Sequence, residues 1–485
     1  MFAHNPRSES KGNKMATNFA DTPVRPAKKR RITEGVEYST TAYGETMLYV
    51  TQKEVGPEAF AWNDEVEVLV LAESVERVGL GAFNRMPNLK KIDAQFATEV
   101  KLGQYCFSQL EKLESVELPM VSVPAKCFFE CPVLKEVQFG GSCESDEELT
   151  IGERAFAFCG ALEAVKGMPA WMVCEKYAFQ ECESLEGAFA VGGPKQENVP
   201  DGIFYGCEKI TELEVQEGTV AIGQEVCSGC TNLRAVNLPE SLMVISDEAF
   251  LECSSVEKIY LGKNMRMVGT EAFRDCSALI KVENRATERV QFGPRAFACC
   301  TALKSFTVPE KTEELAQGMF YGCAELRWVD LNQGIVTIAN GCFLGCEKLH
   351  TCDFNVGTEL EYLGEGCLKG TALREVYLGG SKVSVIGDAA LSDMTYMTTL
   401  TLPNTLEKIG ESMCEGCTGL RRVCVPLKVA RIPERCFKEC SGLEKVHIVG
   451  DKVDIEKNAF FGCDSIRAAI VGDKNTIWEL VPSTV

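Results

Sequence analysis

The chain has 485 residues, 45% of them hydrophobic, with 70 acidic against 50 basic side chains and a formal net charge of −20. That length exceeds one ordinary globular core and argues for several domains or a repeat array. The negative balance opposes general binding to nucleic acid, and no apolar run approaches the roughly eighteen residues of a membrane span.

Residues 1–44 differ in character from the rest of the chain. They hold few large apolar residues, carry Pro23 and Pro26, and contain the basic run Lys28, Lys29, Arg30 and Arg31. Such a composition buries too little apolar surface to fold, which predicts a disordered basic arm. The run also has the pattern of a short nuclear-localisation signal, read by an import receptor through its clustered charge; a solvated basic tail is the plainer reading. The opening MFAHNPRSESKGNK lacks the basic start, apolar middle and small-residue cleavage site of a secretory signal. An intracellular location, nuclear or cytoplasmic, is therefore expected.

Beyond the arm one phrase recurs, typified by Leu242 to Leu261, LMVISDEAFLECSSVEKIYL. From Ile245 to Cys253 its apolar spacing suits a turn of helix, while Ile259 and Leu261 alternate with Lys258 and Tyr260 as a strand does. The phenylalanine position can be followed from Phe60, Phe83 and Phe107 to Phe437 and Phe460 through eighteen units, mostly 23 or 24 residues apart. A unit this short buries its apolar face only against neighbours. The prediction is an α/β repeat solenoid over residues 45–471, each unit a short strand plus a short helical or irregular segment. Eighteen rungs would extend it to about 85 Å. An amino-terminal cap is placed at about 45–54 and a carboxyl-terminal cap or tail at 472–485. Residues 140–148 and 192–198 interrupt the phrase as loops, and the unit around Leu368 lacks its cysteine.

Twenty-five cysteines raise the question of a disulfide framework. Thirteen, from Cys131 to Cys463, share one offset in the unit, where a small apolar residue packs as core, so a column of buried, reduced thiols is expected. Two CxxC pairs, Cys227 with Cys230 and Cys414 with Cys417, fall on the Phe and Cys positions of their units and read as packing. The three histidines, His4, His350 and His447, are far apart in sequence. No metal or cofactor is implied, and no catalytic motif appears.

Segments such as VGTEAFRDCSAL (268–279), IGERAFAFCGAL (151–162) and IGESMCEGCTGLRRVCVP (409–426) resemble the BspA-like, or Treponema-type, leucine-rich repeat. The match runs over about residues 55–471. The resemblance implies a leucine-rich-repeat superhelix of non-enzymatic interaction proteins, several of them bacterial surface adhesins.

Strand residues lying between core positions face outward and align from unit to unit, so they are the places left for recognition. Exposed aromatics beside charges are characteristic of interface cores. The expected contact residues for a protein partner are Lys258, Tyr260, Trp328, Asp330, Glu375 and Tyr377. The resulting reading is an intracellular, non-enzymatic interaction scaffold. A cell-surface or secreted adhesin is the alternative, and a thiol oxidoreductase the remote one.

Overall fold

A computed structural model describes residues 35–98, 100–140, 150–168, 173–354, 359–472 and 474–475. Each phrase makes one coil of chain with two strands. In the central unit these are a two-residue back strand, Val244–Ile245, and a front strand, Lys258–Leu261. The back strand pairs in parallel with Met267–Val268 and the front strand with Lys281–Asn284, each 23 residues on. Repeating this step stacks two parallel sheets about one apolar core. Within the unit Ile245, Ala249, Phe250, Cys253, Val256, Ile259 and Leu261 are fully buried.

The helical segment expected after the back strand does not form: there is no helix among the described residues. That stretch is a run of tight turns, in which Ala272 donates to the Gly269 carbonyl, Arg274 to Glu271 and Cys276 to Phe273. The alternate amides of Glu248, Phe250 and Glu252 instead bond across to Thr270, Ala272 and Arg274 of the next rung. The cause is backbone handedness. The residue two before the Phe position and the residue two after it have positive φ in unit after unit, as at Glu248 and Glu252, Glu271 and Asp275, and Gly318 and Gly322. A left-handed residue every fourth position ends any right-handed helical turn. The apolar spacing of a helix is thus produced by consecutive turns whose third residue has positive φ.

Phenylalanines of successive coils stack nearly parallel. Phe128 and Phe156 lie 5.2 Å apart between ring centroids and Phe250 and Phe273 also 5.2 Å. Cys227 replaces one ring, and Leu368, Leu391 and Cys414 replace three, all of them buried. At the eroded unit Thr371 takes the cysteine position, buried, with its hydroxyl donating to the Leu368 carbonyl at 2.9 Å.

The back sheet is divided into shorter ladders. Three divisions fall where Pro124, Pro200 or Pro433 occupies the position at which Gly223 or Gly269 donates its amide to the preceding rung. A proline has no amide to give. At Pro200 the orphaned Cys174 carbonyl is met by the Gln196 side chain at 2.6 Å, so the 192–198 loop closes its own gap. The loop at 140–148 lies outside the described residues from 141 onward.

Antiparallel strands lie at both ends of the described residues. Val36–Thr40 pairs with Thr46–Val50, and Ala468–Val471 with Lys474–Asn475. The fold thus begins by Val36, inside the stretch that composition assigned to the arm.

Candidate interaction surface

Two columns of side chains project from the front sheet. Register places Lys258 beside Lys281, then Ser305, Trp328 and Thr351, and places Tyr260 beside Glu283, with Thr307 beside Asp330 further along. Glu375 and Tyr377 occupy the same two positions on the rung after Thr351, across an interruption in the front ladder. All six residues expected to bind a partner are exposed on this one face.

They do not form one cluster. Tyr260 and Trp328 are three rungs apart, on the order of 14 Å, whereas Trp328 and Glu375 are two rungs apart. The surroundings also differ. Tyr260 carries the Arg285 guanidinium 6.0 Å from its ring centroid. On the adjoining rung Glu283 is bound by Lys281 at 2.7 Å, which holds its carboxyl below the usual range. The Tyr377 ring lies over Gly379, where an added Cβ would sit 3.2 Å from its Cζ.

The front face carries one further contact that sequence reasoning missed. Cys424 and His447 share a rung-to-rung pair in register, with Sγ 3.7 Å from Nδ1. Every other described cysteine is buried except Cys299, which is half-buried. The alternation around Cys424 in RRVCVP was a usable signal, since Val423 and Val425 take the core positions.

All thirteen cysteines of the shared column are buried, and each thiol donates to the carbonyl at the Phe position of the preceding unit, as Cys253 does to Cys227 and Cys276 to Phe250. Cys227, Cys230, Cys414 and Cys417 are likewise core. Burial pushes many of these thiols up, to about 12 at Cys346 and Cys367, whereas hydrogen bonds from Cys414 and Cys440 hold Cys417 low. Raised, enclosed thiols are poor nucleophiles. Among the described residues no three His, Cys, Asp or Glu side chains are grouped to hold a metal.

A groove of about 710 Å³ opens on the back sheet at the one division not explained by proline, between Gln291–Phe292 and Glu314–Leu315. The Arg289–Glu313 ion pair, 2.8 Å, crosses it. The basic run Lys28, Lys29, Arg30 and Arg31 lies outside the described residues.

A two-sheeted parallel coil of 23–24 residues per rung, with a Phe stack and an outward front ladder, defines a leucine-rich-repeat solenoid of about 18 turns. The model of the BspA type leucine rich repeat region matches residues 53–186, 197–291, 287–381 and 380–479, and the chain belongs to that family. A search of curated proteins finds no match. Among solved structures, the chain is similar to a leucine-rich repeat protein from Bacteroides ovatus, at 20% identity over 91% of this chain and 94% of that one, TM-score 0.46. It is also similar to a leucine rich cell surface protein from Faecalibacterium prausnitzii, at 15% identity over 95% and 99%, TM-score 0.31. These likenesses concern the fold alone. No helix among the described residues is long and apolar enough to cross a membrane.

Proposed function

We propose that this protein is a non-enzymatic scaffold that binds a protein partner through the outward face of its front sheet. The observation carrying this reading is the exposure of Tyr260, Trp328 and Tyr377, at 42%, 43% and 47%, on a ladder whose central rungs otherwise present charged and small residues. Large aromatics held in water cost the monomer apolar exposure and supply much of the energy when an interface forms. A solenoid holds them at fixed spacing, so little order has to be gained on binding.

The test is capture of partners from a lysate by the full chain and by the Tyr260→Ala, Trp328→Ala, Tyr377→Ala triple variant. The partner should be lost with thermal unfolding unchanged. Retention of every partner would move binding off this face. Location belongs to the same reading: a tagged copy inside the cell whose nuclear share falls when residues 25–31 are deleted supports an intracellular scaffold using an import receptor. Staining of intact cells would instead support a surface adhesin.

A further inference from the structure

Four of the six front-face residues close into one patch. Trp328 and Asp330 project from one rung and Glu375 and Tyr377 from the second rung on, with Thr351 and Asp353 between. Trp328 shares a column with Glu375, and Asp330 shares the next column with Tyr377. The aromatic rings therefore take one diagonal of a rectangle and the carboxylates the other. Its sides are on the order of 10 Å across rungs and 7 Å along the strand.

Two unpaired carboxylates set beside two exposed rings mark this patch. Some acidic side chains in this part of the array are tied down, Glu325 by Lys348 and Arg327 and Glu359 by Lys382. Among the described residues Asp330 and Glu375 make no ion pair. Two uncompensated carboxylates between two exposed ring faces attract a cation twice, by direct charge and through the ring quadrupoles. The −20 charge of the chain would draw such a ligand in from a distance.

We infer that this patch receives an arginine- or lysine-rich extended segment of the protein partner, a refinement that rests on the scaffold reading above. Alternate side chains of an extended segment point the same way about 7 Å apart, which matches the strand-wise side of the rectangle. A guanidinium suits it best, because its flat face stacks on Trp328 or Tyr377 while its edge donates to Asp330 or Glu375.

The probe is a fluorescein-labelled dodecapeptide of alternating arginine and serine, titrated by anisotropy into the full chain at moderate salt. Binding is expected, together with a change in tryptophan emission that Trp328→Phe removes. Asp330→Asn with Glu375→Gln should weaken binding about tenfold. Glu212→Gln with Glu214→Gln, an equal charge change elsewhere on the front face, should weaken it no more than roughly twofold. Equal losses in the two double variants, or an emission change that survives Trp328→Phe, would overturn the inference. So would a large gain in affinity on deleting residues 25–31, because the chain's own basic run would then be the occupant. A captured partner that needs the three aromatics but is not displaced by the peptide would overturn the cationic segment alone and leave the scaffold standing.

Discussion

At the scale of single residues, the fold depends on left-handed positions that the sequence fills without an obvious rule. Glu252 has φ 60° and Gly345 has φ 85° at the same place in their units. A side chain there costs about 1–2 kcal/mol, against about 0.5–1 kcal/mol for the extra unfolded-state freedom of glycine. Glu252→Gly should therefore stabilise the chain by about 0.5–1 kcal/mol, read from the denaturant midpoint. Gly345→Ala should destabilise it, since its φ is positive and the new Cβ would meet Gly322 Cα at 3.1 Å. Stability lost in Glu252→Gly would refute the account. Here the sequence ceases to be legible. Phe250 and Cys253 announce themselves by recurrence, but the φ of Glu252 does not, because glutamate, glycine, aspartate and cysteine all serve at that position.

At the scale of the unit, the close approach of successive back turns sets the rung spacing. A Cβ on Gly269 would lie 2.5 Å from the Asp247 amide nitrogen, whereas one on Gly160 would meet nothing within 4 Å. The clash is with backbone, so it cannot be relieved by a rotamer change. Gly269→Ala should cost about 1–3 kcal/mol, and Gly160→Ala should stay within about 0.5 kcal/mol of the parent. Equal midpoints for the two variants would show that the rungs can part freely. The unit length, the front strand and the outward residues were readable from spacing, because strand alternation has period two. The back strand was not, since two residues such as Val244–Ile245 carry no period, and the turns mimic helical spacing. Nor could spacing show that Glu283 beside Tyr260 is neutralised while Asp330 beside Trp328 is not, which is what sets one part of the face apart.

At the scale of the whole molecule, the thiols that burial raises make stability fall with pH. Burial pushes Cys174, Cys346 and Cys367 up to about 12 and moves Cys253, Cys300 and Cys323 well above the ordinary value. In an unfolded chain a thiol titrates at about 8.5. Between about 8.5 and 12 the unfolded state has released protons that the folded state keeps, so it binds fewer, and stability falls as pH rises. The contribution is fully present below about 8.5 and is lost towards 12. Each such thiol removes about 1.4 kcal/mol per pH unit within that window. Cys346 and Cys367 lie in adjoining coils and open together even if the array melts in segments, so they remove about 3 kcal/mol per unit between them. Thermal unfolding followed by circular dichroism should thus show a nearly constant Tm from pH 7 to 8 and a steep fall from 9 to 10. The double variant Cys346→Ala, Cys367→Ala starts from a lower Tm because of the space it leaves, yet its Tm should fall less steeply with pH. The slope separates the two effects, since lost packing is independent of pH. A Tm that stays level to pH 10 in the parent chain would mean that the thiols are not enclosed as the core of the solenoid requires.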